Sequence, residues 1–342
     1  MEHPNQSNLQ SPKAPLTIPR AFQAMAEFEL IKRYFSELGI VRDDVALGIG
    51  DDCALLDVPD GFQLAVSMDT LVAGVHFPHD TDAADIGFKA LAVSLSDLAA
   101  MGATPAWATL GLTLPAADEN WLKRFCEGFS AIAQRYQVQL IGGDTTRGPL
   151  SITLQIHGFV KTGQALRRDQ AQTGDWIYVS GTLGDAALGL RLHQGKFSSV
   201  KNANHCIDRL NRPEPRIELG LALAGLSRCA IDLSDGLLAD LNHVVNASGC
   251  GAEIELANIP LSPEFKSIFK TDVDWILPLA SGDDYELCFT VSPENKPQLE
   301  TLGKQLNLPL SCIGRIVPGT GILIRDQNGH QYQPVHLGYE HF

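Results

Sequence analysis

Aspartates follow short apolar runs at five places in this chain: "GIGDD" (48–52), "VSMDT" (66–70), "LIGGDTT" (140–146), "AIDLSDG" (230–236) and "ASGDDYE" (280–286). A carboxylate at the end of a buried strand is uncommon unless it caps a helix, pairs with a cation or binds a metal. Any one of these aspartates has an ordinary reading as a turn or N-cap residue. That reading suits Asp235, because "SDGLLADL" looks like a helix start. It does not suit Asp97, which falls mid-helix among Ala, Leu and Val, one turn after Val93 and two after Lys89.

Asp51, Asp52, Asp69, Asp97, Asp144, Asp232 and Asp235 are therefore expected to converge. Oxygen donors without accompanying His or Cys pairs suit hard cations, Mg²⁺ or Ca²⁺. Packed carboxylates repel one another unless cations neutralise them. Such a site fits phosphoryl chemistry, in which Mg²⁺ offsets charge on phosphate oxygens. The runs "GIG", "IGGD" and "SGTLGD" would let backbone N–H groups approach phosphates closely. No GxxxxGK[ST], HRD/DFG set, HExxH or GxSxG occurs.

Other residues keep plain alternatives. Cys53 adjoins two carboxylates that would raise its pKa, so it is read as a small buried packing residue. His76 is a substrate contact or a satisfied loop histidine. Arg147 and Arg168 bind phosphate or solvate loops. Lys89 is read as a helix-face lysine.

The elements that must position these groups alternate. A helix is expected over 24–40, strands at "DVALGIG" and "FQLAVSMDTLV", a helix over 82–103, a strand at "AWATLGLTL" and a second amphipathic helix after it. "QLIGG" and "SITLQIHGFV" follow as strands, so the first half reads as α/β. A polar passage (161–175) separates it from a second α/β half, in which "CAIDLSDGLLADLNHVVNASG" reads strand, turn, helix. The expected organisation is a flexible tail over 1–22, an N-terminal α/β domain over 23–163 and a C-terminal α/β domain over 164–342.

The 342 residues carry 26 basic and 40 acidic side chains, a formal charge of −14, which argues against nucleic-acid partners and anionic membrane surfaces. No uninterrupted apolar run of transmembrane length occurs, and the first residues lack a signal-peptide pattern. Seven scattered cysteines without CxxC point to reduced thiols in the cytoplasm.

Taken together, "GIGDDCALL", "DTLVAGVHF", "KALAVSLSDLAAMGA", "LIGGDTTRG", "AIDLSDGL", "SGDDYEL" and the C-terminal "GYEHF" resemble, in order, the motifs of the thiamine-monophosphate kinases. The resemblance covers nearly everything after the first ~20 residues. It implies a two-domain fold like that of aminoimidazole ribonucleotide synthetase, with N-terminal domains pairing in a homodimer and nucleotide between domains. It implies ATP-dependent phosphorylation of thiamine phosphate to thiamine diphosphate, by in-line transfer with several Mg²⁺ ions and no assigned general base. By motif position, Asp52, Asp69, Asp97, Asp144, Asp232 and Asp235, with Ser67 and Met68, are the implied metal positions. Gly143, Asp144, Arg168 and Ser234 are the implied ATP contacts, and His76, Asp283 and His336 the implied substrate contacts. Met68 stands where the family often has Thr, and His336 where some relatives carry an aromatic residue, often Trp. The rival readings are an ATP-dependent synthetase on the same fold, a metal-dependent phosphatase, and a non-enzymatic nucleotide-binding protein.

Overall fold

The computed structural model describes residues 27–36, 38–197, 203–269 and 272–339. The expected N-terminal tail, the first residues of the helix expected over 24–40 and the end of "GYEHF" lie outside them. Helix α1 (Glu27–Leu30) runs into a short π-helical turn, Ile31–Phe35. Strands β1 (Val45–Leu47) and β2 (Leu55–Leu56) then pair antiparallel. "GIGDD" is the loop between them, and β1 is only half covered. The buried strand expected before the acid pair is thus a short surface ladder.

The first half is built on a four-stranded sheet. Strand β3 (Phe62–Val72) matches its expected span; helix α2 (Ala83–Ala100), strand β4 (Thr104–Leu114), helix α3 (Glu119–Arg135), strand β5 (Gln139–Arg147) and strand β6 (Ser151–Lys161) follow. The spatial order is β3-β6-β4-β5, so β3 and β5 form opposite edges. Only the β4–β5 pair is parallel.

Helix α2 starts where the Asp82 carboxylate accepts the Ala84 N–H, at 2.9 Å. It is apolar around nearly its whole circumference, as a helix enclosed on all sides must be. It packs on the sheet and on α3, and its far side meets the second half. The α2–α3 crossing is close: a Cβ on Gly128 would lie 1.8 Å from the Ala84 carbonyl oxygen.

The second half holds β7 (Trp176–Ser180), α4 (Asp185–His193), α5 (Ala203–Asn211), α6 (Ile217–Ala222), β8 (Ser227–Asp232) and α7 (Leu237–Ser248). Strand β9 (Gly251–Glu255), helices α8 (Pro263–Phe269) and α9 (Ile276–Ala280), strand β10 (Leu287–Val291) and helix α10 (Lys296–Gln305) come next. Strands β11 (Leu310–Val317), β12 (Gly321–Arg325) and β13 (Gln331–Tyr332) end the described chain. The seven strands form one mixed sheet, ordered β13-β12-β9-β11-β7-β10-β8. Helix α5 occupies part of a stretch that reads as merely polar, because only a narrow face, Cys206 and Leu210, is buried. One apolar core runs from the first half into residues such as Ile217, Ala230, Leu287 and Phe289; a second lies within the other half.

The close crossing gives a direct test. Gly128→Ala should destabilise the fold by about 1–3 kcal/mol, since a methyl forced against backbone is overpacking. Urea unfolding measures it, and wild-type stability would contradict the contact.

Candidate active site

Helix α2 gathers the polar groups of the site. From its sheet-facing side, Ser94 Oγ donates to Asp69 Oδ2 on β3, at 2.7 Å. Two residues on, Ser96 Oγ donates to Asp232 Oδ2 at the end of β8, at 2.8 Å. Asp97 itself accepts from Ser67 Oγ on β3. Ser67 and Asp69 share one face of β3 because strand side chains alternate. One helix thus draws carboxylates from two sheets together.

Their protonation reports the crowding. Burial pushes the Asp97 carboxyl far above the ordinary carboxylate range, the charges of Asp232 and Asp69 raise it further, and Arg168 opposes them. Burial likewise raises Asp232, against the Ser96 hydrogen bond, with Asp240 and Asp69 adding repulsion. Asp69 is raised chiefly by burial. This is the electrostatics of an anionic cluster that a hard cation would relieve.

Two loops complete this side. Asp235 does not cap α7. Gly236 is the N-cap, with no side-chain cap; from the first turn of α7 the Asp240 carboxylate reaches back to accept the N–H groups of Asp235 at 3.1 Å and Gly236 at 3.2 Å. The 282–286 loop docks on this turn: the Asp283 N–H donates to Ser234 O and the Tyr285 N–H to Leu233 O, both at 2.8 Å. Asp283 and Tyr285 hold φ of +66° and +49°, a left-handed backbone that non-glycine residues seldom adopt. Behind them, buried Glu286 is bound by Arg209, Arg216 and Ser180. Lys89 is not a surface helix lysine. It is 2% exposed, and its Nζ donates to Asp283 Oδ2 at 2.8 Å and to the His76 carbonyl at 3.2 Å. His76 Nδ1 accepts the Val72 N–H at 3.0 Å.

Eight of the expected residues line two separate cavities. Ser67, Asp97, Arg168 and Asp232 line a cavity of about 460 Å³, with Arg167 and Asp169 at its edge. Asp51, Asp52, Cys53, Gly142, Gly143 and Asp144 line another, of about 500 Å³. Asp69 and Asp144 lie on opposite edges of the four-stranded sheet, which keeps the two groups apart. Among the described residues, no three or more His, Cys, Asp or Glu side chains are arranged so that they could hold a metal ion. Cys53 is exposed, not buried. Its place on a surface loop, rather than after a core strand, is the reason. Met68 and His336 are exposed, and Ser234 is half-buried. Sequence reading missed Ser94, Ser96 and Asp240 as partners of the acids; serines recurring inside the apolar run "AVSLSDLAA" were the available signal.

The N-terminal domain model of the AIR synthase related proteins matches residues 50–160, and the C-terminal domain model matches residues 172–326. Thiamine-monophosphate kinase of Escherichia coli (strain K12) is 51% identical over 324 residues, spanning 93% of this chain and 99% of that protein. The crystal structure of thiamine-monophosphate kinase from Stenotrophomonas maltophilia K279a superposes with a TM-score of 0.79 at 49% identity, over 85% of this chain and 93% of that one. AaThiL complexed with AMPPCP and TMP superposes with a TM-score of 0.74 at 30% identity, over 84% and 89% of the two chains. With both domain models matched in order and half its residues shared with a relative along nearly its full length, this chain belongs to the thiamine-monophosphate kinases of the AIR synthase related family.

Proposed function

We propose that this chain transfers the γ-phosphoryl group of ATP to thiamine phosphate, giving ADP and thiamine diphosphate. The observation that carries the reading is the set of mutually repelling carboxylates, Asp69, Asp97 and Asp232, gathered by α2 beside a cavity that also holds Arg168. A phosphatase or a passive binder does not account for the family membership, and AaThiL has been seen with AMPPCP and TMP together.

The donor set fits Mg²⁺, because every candidate ligand is an oxygen and Arg168 alone does not offset three clustered carboxylates. Among the described residues no three of these carboxylates are arranged to share an ion, so Asp69, Asp97 and Asp232 would have to close on it, with Ser67 and Met68 beside them on β3 and Asp235 on the neighbouring turn. Asp52 and Asp144 are the further candidate ligands, on the other cavity. When bound, Mg²⁺ supplies positive charge against the polyphosphate oxygens. The chain's own residues position the reactants. Arg168 offers a cation to ATP phosphate, Gly143 lets backbone approach it, and Ser234 serves the nucleotide side. The Asp283 carboxylate faces the cationic thiazolium ring, with His76 and His336 on the substrate side. The acceptor is a phosphate oxygen already charged at neutral pH, so no general base is required. Alignment and charge compensation carry an in-line, loose transfer.

We take residues 23–163 and 164–342 as the two domains. The N-terminal domains pair in a homodimer: Leu64, Val66 and Met68 on edge strand β3 are 42%, 49% and 63% exposed and share one face. A cytoplasmic setting suits seven free cysteines. No helix among the described residues is long and apolar enough to cross a membrane.

Purified chain incubated with ATP, MgCl₂ and thiamine phosphate should form ADP and thiamine diphosphate in equal amounts by chromatography; ATP use without thiamine diphosphate would overturn the reading. Asp97→Asn should lower turnover by about 10²–10³-fold or more while circular dichroism stays native. Near-wild-type turnover would remove Asp97 from the site.

The raised carboxyls also set a pH dependence. Between the ordinary carboxylate range and the raised values of Asp97 and Asp232, the folded metal-free chain holds protons that the unfolded chain releases. Stability conferred at low pH is therefore lost as pH rises toward neutrality and beyond. Thermal melts in EDTA should show this fall, and MgCl₂ should reverse more of it at the upper end. A melting temperature raised equally by MgCl₂ at every pH would contradict this.

A further inference from the structure

Lys89 lies outside every motif role considered so far, yet its surroundings are specific. Its side chain is 3% exposed, against 29% for its partner Asp283. A buried ammonium is costly, and replacing a buried ion pair by apolar groups is often neutral or stabilising. Stability alone is thus a weak reason for a lysine here. What the pair does is geometric. Residues 89 and 283 stand on different halves of the chain, and the bond joins α2 to the left-handed turn at Asp283. The same turn is pinned through Ser234 and Leu233, next to Asp232. Lys89 also holds the His76 carbonyl. The Asp283 carboxylate and the His76 carbonyl, at two of the three expected substrate positions, therefore meet on one ammonium. Eight residues along the same helix is Asp97, about 12 Å away by helical rise.

We propose that Lys89 is a positioning residue for the phosphate acceptor: it fixes the Asp283 carboxylate and the His76 segment at a set distance from the carboxylates around Asp97. Helix α2 then works as a ruler between the cationic ring of thiamine phosphate and its phosphate. This rests on the kinase reading above and adds the residue that sets acceptor recognition.

The test is steady-state kinetics of the full chain with ATP and MgCl₂, comparing wild type with Lys89→Met, Lys89→Arg and Asp283→Asn. Lys89→Met should raise KM for thiamine phosphate about tenfold or more, as expected for a charge pair broken on one side, and leave KM for ATP within about twofold. Lys89→Arg should recover most of the loss by keeping the charge. Adding Lys89→Met to Asp283→Asn should cost little more than Asp283→Asn alone, because the two act through one bond. A merely structural lysine would lower the active fraction and the melting temperature without raising one KM. If Lys89→Met does not fold, Lys89→Gln, which can still bond the His76 carbonyl, carries the same comparison. An unchanged KM for thiamine phosphate, or equal rises for both substrates, overturns the proposal while wild-type turnover stands. Absence of wild-type turnover overturns the kinase reading and this proposal with it.

Discussion

Repulsion among Asp69, Asp97 and Asp232 is the constraint around which the rest of the site is arranged. Like charges in a low-dielectric cleft separate unless something holds them. Here the restraint is a single buried helix. Ser94, Ser96 and Asp97 occupy four consecutive positions of α2 with Leu95, and each polar one grips a different residue: Asp69, Asp232 and Ser67. Hydroxyl donors favour the ionised carboxylates against the burial that protonates them, so charge remains for a cation to bind as pH rises.

Such a helix must itself be immovable. The α2–α3 crossing, closed to backbone contact at Gly128, and the apolar surroundings of Leu91, Leu95 and Leu98 provide that. Because its remaining side meets the second half, α2 also fixes how that half presents Asp232 and the 282–286 loop. The left-handed backbone at Asp283 and Tyr285 stores strain that the surrounding hydrogen bonds and the Glu286–Arg209–Arg216 network must sustain. Strain of this kind is common where a side chain must be aimed.

Much of the fold was legible because its signals are local. The alternation in "FQLAVSMDTLV" and the Asp82 cap of α2 set those elements where they are found. The out-of-place acid at Asp97 was legible too, since a carboxylate inside an apolar helix has few ordinary explanations. What was not legible depends on tertiary placement. Nothing local separates a surface lysine from buried Lys89, or an N-cap at Asp235 from a turn residue whose own N–H is held by Asp240 in the first turn of α7. Cys53 reads as a packing residue because its acidic neighbours argue against a nucleophile, but the run before it is a half-exposed ladder, which leaves the thiol exposed. Helices such as α5, α8 and α9, of nine, seven and five residues, are too short to leave a clear period. The separation of Asp52 and Asp144 from Asp69 follows from strand order, which periodicity does not encode.

The most direct measurement is crystallographic: soak or co-crystallise the chain with MnCl₂ and a non-hydrolysable ATP analogue, and locate Mn²⁺ by its anomalous scattering. A peak between the carboxylates of Asp69, Asp97 and Asp232, in contact with phosphate oxygens, is the expected result. Bound nucleotide with no ion at these three aspartates would contradict the assignment of the cluster as the cation site.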